Sequence, residues 1–367
     1  MSNYNLTKMA TQMFFPGNVA QVDDAGLPSI LVFIPAFKNS DVLNGGDDST
    51  HPAFIVNGKE VSGFYYSKYQ NVVHNGAAYS LPAEDPQTSV NFDTALALCE
   101  AKGAGWHLST AAEWAAIALW CKKNGFLPYG NNAYGKDNRE SEYKAIPTAY
   151  GSDGKINRVA AGTGPVTWSH DNTMAGIWDM NGNLWEWQCG LRLVWGELQI
   201  LANNDAADSE NPQNAKSTGW KAINAADGSL VEPESKTTDT AVKTAGRTIK
   251  IDFINEVWTF STGITNVITS SKSCPFIDVV CTADISEAAK GLLRALALLP
   301  DTGATSDDYE GDGMWWNNGL SERVIFRGGH HYYGAPSGVF SINGGDGRTT
   351  ANQLIGFRAA YIPEIGE

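Results

Sequence analysis

Apolar residues occur in short runs separated by polar, glycine-rich stretches along the whole chain. The β-branched and aromatic run at residues 30–34 ends at a proline and predicts a strand. Residues 54–56 and 63–69 predict two further short strands around an Asn57-Gly58 turn. This pattern is typical of an α+β protein with short strands and many loops.

Two segments show apolar residues at helical spacing, and each carries an end signal. Residues 92–99 predict a first helix, with Gly103 in the place of a C-terminal cap. The second helix begins with Thr110-Ala-Ala-Glu113, a capping box in which hydroxyl and carboxylate satisfy free N–H groups. Gly125 marks its end. We expect these to be the two main helices of the fold.

The remaining chain is predicted from its polarity. Residues 1–26 are polar without a clear period and are interpreted as an N-terminal arm or attachment segment. Residues 126–165 are loop-like. Residues 197–312 are long and mostly polar, with one helix that Ser286 caps and Pro300 stops. Their apolar content is too scattered for an independent core, so we expect an insertion within a single domain at 27–363.

Composition excludes several functional classes. The chain has 26 Lys and Arg against 40 Asp and Glu, a net charge of −14, which would repel phosphate backbones, so no nucleic-acid partner is expected. The longest apolar run, residues 30–37, is too short to span a bilayer, and no secretory signal is recognised at the start. We therefore expect a protein made in the cytoplasm that does not insert into membranes.

The five cysteines show no Cys-x-x-Cys spacing and are odd in number; they are Cys99, Cys121, Cys189, Cys274 and Cys281. Reduced thiols that behave as small apolar residues are the favoured interpretation. A bridge between Cys274 and Cys281 is the alternative.

Four blocks in chain order resemble the formylglycine-generating-enzyme (sulfatase-modifying factor) domain. Residues 30–35 resemble its opening strand, and residues 105–114 its "RLPTEAEWE" helix start. Residues 176–187, GIWDMNGNLWEW, are similar to its "GLYDMxGNVWEW" signature, and Arg327-Gly-Gly with Gly-Phe-Arg358 resemble its closing blocks. The resemblance implies a C-type-lectin-like fold of the formylglycine-generating subclass, with the long insertion at about 197–312.

The same resemblance argues against the chemistry of that family. Its oxidases use a cysteine pair shortly after the Arg-Gly-Gly block as copper ligands, whereas this chain has no cysteine after Cys281. The related iron-dependent sulfoxide synthases need a His-x-x-x-His-x-Glu helix, and the sequence has no such spacing. We therefore expect a fold without that catalysis.

A structural calcium ion is the one cofactor that the resemblance implies. Its ligands would be the carboxylates of Asp179 and Glu186 and the carbonyls of Gly182 and Leu184, which suit a hard cation. The alternative is that Glu186 pairs with an arginine such as Arg327 or Arg358. No other cofactor is expected.

The C-terminal segment, about 327–361, resembles the variable region of proteins diversified by retroelements, which include phage tail receptor-binding proteins. In that family the adenines of a template repeat are randomised, so an Asn codon becomes a restricted set of residues. Within residues 330–354 only Gln353 lies outside that set. The resemblance implies a binding segment of exchangeable specificity.

Within this segment, glycines and apolar residues are expected to form a fixed frame, and small polar or aromatic residues the contact surface. Alternation predicts Phe340 and Ile342 inward and Ser341 and Asn343 outward. The predicted contact residues are His330, His331, Tyr332, Tyr333, Ala335, Ser337, Ser341, Asn343, Gly345 and Asp346, with Trp315 and Trp316 beside them. For these two tryptophans, burial in the core is the alternative. A metal site or acid–base pair at His330, His331 and Asp346 is the less favoured interpretation. One of the two tyrosines is expected to be exposed.

These observations predict a ligand-display protein, such as a phage tail or surface protein that recognises a host-cell protein, a glycan or another macromolecule. Residues 1–26 would attach it to other tail proteins, and it would work on a virion tail or a cell surface. The alternatives are an oxidase of the sulfatase-modifying type and a calcium-assisted carbohydrate-binding lectin. The Glu-Pro-Asn and Gln-Pro-Asp triplets of such lectins are missing from the sequence.

Overall fold

Short strands far outnumber helices along the chain in a computed structural model that describes residues 3–366. The fold is α+β, as predicted. Its described α-helices are α1 (Asn3–Phe14), α2 (Asn39–Val42), α3 (Phe92–Glu100), α4 (Ala111–Asn124) and α5 (Glu287–Ala295).

The strands are short, as the pattern predicts, but more numerous. In chain order the described strands are β1 (Asn18–Val22), β2 (Pro28–Pro35), β3 (Ile55–Val56), β4 (Lys59–Glu60), β5 (Gly63–Ser67), β6 (Val72–His74), β7 (Ala77–Tyr79), β8 (Trp106–Leu108), β9 (Pro147–Tyr150), β10 (Ile156–Val159), β11 (Trp185–Val194), β12 (Glu197–Ile200), β13 (Lys221–Ile223), β14 (Leu230–Val231), β15 (Lys250–Ile254), β16 (Val257–Ser261), β17 (Lys272–Pro275), β18 (Val280–Cys281), β19 (Gly313–Trp316), β20 (Arg323–Arg327), β21 (Ile342–Asp346), β22 (Ile355–Phe357) and β23 (Ala359–Tyr361). Few of them exceed five residues, so many carry too few side chains to show a period.

A five-stranded sheet has the order β1-β2-β5-β23-β8. The predicted strand at residues 30–34 is its β2, and β1 pairs with β2 in antiparallel fashion from Asn18 opposite Val32. The prediction that residues 1–26 form one arm is therefore wrong for Asn18–Val22, which belong to the sheet. Main-chain hydrogen bonds to β2 hold β1, and such bonds leave no apolar pattern in the sequence.

Both predicted main helices are confirmed. The hydroxyl of Thr110 accepts from the backbone N–H of Glu113 at 3.0 Å, and the Glu113 carboxylate accepts from the N–H of Thr110 at 3.0 Å. Gly125 ends α4 in the left-handed conformation at φ 71°. The other helix, α3, ends at Glu100 and not at Gly103.

The predicted insertion at 197–312 contains seven strands, β12 to β18, besides α5. Ser286 caps α5 as predicted, although the helix ends at Ala295, before Pro300. Apolar side chains of this region, such as Trp258 and Phe260, lie in the same core cluster as Trp114 of α4. Residues 197–312 thus complete a core shared with the rest of the chain.

The larger sheet has twelve described strands and runs β17-β19-β21-β20-β11-β12-β15-β16-β18, with β13, β14 and β22 joined at its side. Its central strand β11 pairs with β12 and β20 in antiparallel fashion and with β22 in parallel. Residues 126–165, predicted to be loop, also contain the hairpin of β9 and β10.

All five cysteines are free thiols, four of them buried and Cys281 half-buried. Burial raises the pKa of Cys274 to about 11 and that of Cys281 to about 12. The interpretation as apolar side chains is therefore confirmed, and the alternative bridge between Cys274 and Cys281 is wrong. None of the described helices is long and apolar enough to cross a membrane.

Candidate functional site

Strands β20 and β21 flank residues 328–341, here called the C-terminal loop. Gly328 and Gly329 open it in the left-handed region, at φ 95° and 83°. A Cβ on Gly329 would lie 2.2 Å from the Ser337 hydroxyl, and a Cβ on Gly338 would lie 2.0 Å from the Asp312 carboxylate. Only glycine fits at these positions, so the backbone path of the loop is fixed by its sequence.

Side chains from other elements hold the loop from beneath. The buried Arg327 guanidinium donates to the carbonyl oxygens of Leu296 at 3.0 Å, Ala297 at 3.1 Å and Phe340 at 3.3 Å. The indole N–H of Trp114 in α4 donates to the Val339 carbonyl at 2.7 Å. These bonds satisfy buried backbone carbonyls and tie the loop to two helices.

Asp312 lies buried under the same loop. Its carboxylate accepts from the Phe340 N–H at 2.7 Å. Burial outweighs this bond and raises the pKa of Asp312 to about 8. The carboxyl is therefore protonated over much of the neutral range.

The predicted contact residues differ in exposure. Tyr332 is 45% exposed and Ala335 is also exposed, whereas Tyr333, Trp315, Gly345 and Asp346 are half-buried. The remaining six are buried, with at most 9% of their surface accessible: His330, His331, Ser337, Ser341, Asn343 and Trp316. The prediction of a surface position is wrong for five of these six, and for Trp316 the alternative of burial in the core is the one observed. A contact role for the others stays a prediction.

The small polar residues are buried because they hold the loop to itself. The Ser341 hydroxyl donates to the Pro336 carbonyl at 2.6 Å, and the Ser337 hydroxyl donates to the His330 carbonyl at 3.3 Å. Strand β21 starts only at Ile342, so Ser341 does not take part in the expected outward alternation. Ser337 and Ser341 therefore serve the structure of the loop.

The two histidines are buried and uncharged. Burial lowers the pKa of His330 to about 3 and that of His331 to about 4. Asp346, their proposed partner, accepts instead from the Thr350 hydroxyl at 3.3 Å. Within residues 3–366 no group of three His, Cys, Asp or Glu side chains could hold a metal ion. The less favoured interpretation, a metal site or acid–base pair here, does not fit this arrangement.

Four aromatic side chains form a continuous line on this side of the molecule; we call Tyr134, Trp315, Tyr332 and Tyr333 the aromatic face. Tyr333 stacks on Trp315 at 4.9 Å with 13° between the rings. Tyr332 lies nearly parallel to Tyr134 at 6.2 Å and 20°, and 5.5 Å from Tyr333. Tyr332 is the exposed tyrosine and Tyr333 the half-buried one, as expected for one of the pair.

Tyr134 is the member that sequence reasoning missed. It belongs to the loop before β9, far from the C-terminal segment along the chain, and has a positive φ of 56°. Its backbone N–H donates to the His331 carbonyl at 2.7 Å, which places its ring beside Tyr332. The Lys155 ammonium lies 4.5 Å from the centre of the Tyr134 ring and 3.4 Å from the Asp153 carboxylate, so an ion pair borders the face there.

Two of the four predicted calcium ligands, Glu186 and the Leu184 carbonyl, already accept hydrogen bonds from other side chains. Both oxygens of the buried Glu186 accept from Arg358, at 2.7 and 2.9 Å, and one also accepts from Gln70 at 2.9 Å. The Leu184 carbonyl accepts from the same Gln70 amide at 3.3 Å. A guanidinium in this position takes the place of a cation, so these residues do not fit a calcium ion. The alternative pairing of Glu186 with an arginine is the one observed.

Asp179 offers one free oxygen. Its Oδ2 accepts from the Gly162 N–H at 2.7 Å, while Oδ1 is buried with no hydrogen-bond partner among the described residues. Burial raises the pKa of Asp179 to about 6. A single carboxylate oxygen does not supply the six to eight ligands that calcium takes.

Comparison with protein families gives one match. The sulfatase-modifying factor enzyme 1-like domain matches residues 46–194. This part of the chain is similar to that domain. The matched residues include α4 and the block at residues 176–187 and end within β11, before the C-terminal loop.

Solved structures similar to the chain include three of different origin. PvdO from Pseudomonas aeruginosa is 14% identical, with 91% of this chain and 94% of that chain covered and a TM-score of 0.33. The P3c variant of the Major Tropism Determinant is 9% identical, with 94% and 71% covered and a TM-score of 0.29. Treponema denticola variable protein 1 is 12% identical, with 95% and 100% covered and a TM-score of 0.31. Among curated proteins nothing matches.

Proposed function

We propose that the chain is a ligand-binding display protein and that the aromatic face, with Ala335 beside it, is its contact surface. The observation that carries the proposal is an exposed Tyr332 on a loop that is anchored from beneath. A fixed backbone loses little entropy when its side chains bind. Tyrosine and tryptophan supply large contact areas with few rotatable bonds, as in antibody paratopes.

The aromatic face combines positions of two kinds. Tyr332, Tyr333 and Ala335 lie in the segment that resembles a diversified region, and each is a residue that adenine randomisation of an Asn codon can produce. Tyr134 and Trp315 lie outside that segment. We infer that these two are a constant platform on which exchangeable side chains rest. The buried serines and histidines of the loop cannot vary freely without disturbing the platform.

Binding is favoured over catalysis by the chemistry of the surface. The two imidazoles at the loop are uncharged and packed against rings, with His330 3.9 Å from Tyr333 between ring centres. The half-buried Cys281 has a raised pKa, so little reactive thiolate forms at neutral pH. A surface of aromatic side chains with few ionisable groups is suited to binding a ligand.

The partner in this proposal is a host-cell surface protein, a glycan or another macromolecule. The working location would be a phage tail or a cell surface, with the segment before β1 attached to other tail proteins. The aromatic area and the paired charges of Lys155 and Asp153 at its edge favour a partner with apolar or neutral polar groups, because aromatic rings contribute mainly by burial.

Two matched libraries test the contact surface. The first randomises residues 332, 333, 335 and 346, and the second randomises the buried residues 330, 337, 341 and 343; both are displayed and selected on hen egg-white lysozyme. We expect folded lysozyme binders from the first library and mostly unfolded chains from the second. Equal yields of folded binders from both, or loss of folding in the first, would overturn the assignment of the surface.

The DNA around the coding sequence tests diversification separately. The proposal predicts a nearby reverse-transcriptase gene and a repeat that differs from codons 330–354 only at adenines. Because residues 332, 333 and 335 are exposed or half-buried and residues 337 and 341 are buried, we expect the differences at codons 332, 333 and 335 and none at codons 337 and 341. Differences spread over all four bases would contradict diversification but leave the binding surface untouched.

A further inference from the structure

Helix α1 carries an exposed apolar face. Leu6 is 53% exposed, Met9 48%, Met13 72% and Phe14 72%. These residues follow the spacing i, i+3, i+7 and i+8, so they lie on one side of the helix. Lys8 and Gln12 lie on the opposite side and are the polar residues that would face solvent.

A helix of this kind needs a partner. Its twelve residues, Asn3–Phe14, are marginal for an isolated helix in water, and packing normally supplies the missing stability. The helix has no acidic residue in its first turn and no basic residue in its last turn, so its dipole is not compensated from within.

An apolar groove begins where α1 ends. It has a volume of about 660 Å³ and lies between β2 and the C-terminal half of α4. Its described walls start at Pro16 and include Ile34, Ile117 and Trp120, so α1 of the same chain lies outside it. The rim carries both charge signs, with Asp41 and Asp171 and, at the end of α4, Lys123.

The groove and the exposed face of α1 are complementary in polarity and charge. The groove supplies apolar walls for Leu6, Met9 and Met13, and its rim carries acids and a base, the charges that complement the two ends of a helix dipole. An anionic lipid surface is a poorer partner, since the chain has a net charge of −14.

We propose that two copies of the chain exchange their α1 helices, each helix lying in the groove of the other copy. The exchange is reciprocal and closed, as in a twofold dimer. The four exposed apolar side chains of α1 offer roughly 100 Å² each. Two exchanged helices therefore bury roughly 400 Å² on each of four surfaces, which lies within the roughly 1,200–2,000 Å² of stable interfaces.

Sedimentation velocity on the full chain tests the exchange with three variants. The unchanged chain sediments with twice the mass of one copy. Met13→Asp removes the helix contact, and Ala36→Glu places a charge at an exposed position of the groove; both sediment as single copies. Gln12→Asp, the matched control on the polar side of α1, keeps the double mass, and circular dichroism verifies folding of all three.

Two outcomes overturn the proposal. The unchanged chain sedimenting as a single copy would exclude the exchange of α1 helices between two copies. A double mass that Met13→Asp abolishes and Ala36→Glu preserves would show that two α1 helices pack on each other and leave the groove empty. Neither result bears on the aromatic face, so the two proposals fail separately.

Discussion

Glu186 shows how an arginine takes the place of an expected ion. It lies on β11 between β20 and β22, where its carboxylate is buried and its two oxygens accept from Arg358. Arg358 also donates to the Trp178 carbonyl at 2.6 Å. The pair thus ties the block at residues 176–187 to the closing block of the chain without any metal.

Removing one partner of this pair is expected to be costly. Arg358→Ala leaves a buried carboxylate without its cation and should lower the free energy of unfolding by about 3–5 kcal/mol. The control is Arg158→Ala, which breaks the more exposed pair with Asp85 and should cost about 0–1 kcal/mol. Urea denaturation measures both, and equal losses would contradict the structural role of the buried pair.

Asp312 should make the free energy of unfolding depend on pH. Comparison of the unchanged chain with a variant at this position isolates that contribution. Because its pKa is raised to about 8 in the folded state, the folded chain keeps a proton that the unfolded chain loses above about pH 4. Stability therefore falls as pH rises from about 4 to about 8, by up to about 1.4 kcal/mol per unit.

Asp312→Asn removes this titration and keeps an oxygen to accept from the Phe340 N–H. The variant should gain stability relative to the unchanged chain as pH rises from about 5 to about 8, measured by urea denaturation at each pH. Parallel stability curves for the two proteins would show that Asp312 has an ordinary pKa.

At the scale of elements, capping signals were the most informative part of the sequence. The capping box at Thr110 and the αL glycine at Gly125 fix the two ends of α4 through local bonds. Strands such as β13 and β14 have only three and two residues, so no pattern in the sequence predicted them. Their formation depends on hydrogen bonds to partners distant in sequence.

Removal of the N-terminal caps of α4 and α3 should lower the free energy of unfolding by different amounts. Thr110→Ala removes a hydroxyl that accepts from Glu113 N–H and donates to Asn204 at 2.6 Å, and should cost about 2 kcal/mol. Asn91→Ala at α3 removes a cap bond to Thr94 N–H at 2.8 Å and should cost about 1 kcal/mol. Thermal or urea denaturation gives both values; a larger loss at Asn91 would contradict this order.

At the scale of the whole molecule, residues 197–312 and the remaining chain share one core. We therefore expect a single cooperative unfolding transition. Phe260→Ala within 197–312 and Ile117→Ala in α4 should lower the same urea midpoint, whether tryptophan fluorescence or far-UV circular dichroism is followed. A separate early transition that only Phe260→Ala shifts would show that 197–312 unfolds as an independent unit.

The sequence by itself determined the α+β class, the ends of α4, the opening strand and the resemblance that the family match finds over residues 46–194. It also correctly predicted that the apolar residues of the C-terminal segment, such as Phe340 and Ile342, are buried. These features depend on caps, turns and apolar runs. Such signals come from residues that are neighbours in the sequence, so a single sequence is enough to predict them.

Only the tertiary structure decided which polar residues of the C-terminal loop reach solvent. Ser337 and Ser341 have the composition of a contact surface, yet hydrogen bonds within the loop bury them. Tyr134 joined the aromatic face through one backbone bond to a residue almost two hundred positions away. Glu186 met an arginine because β11 and the end of the chain lie side by side. Such contacts depend on chain segments far apart in sequence, and the identity of a residue does not reveal which partner it will meet.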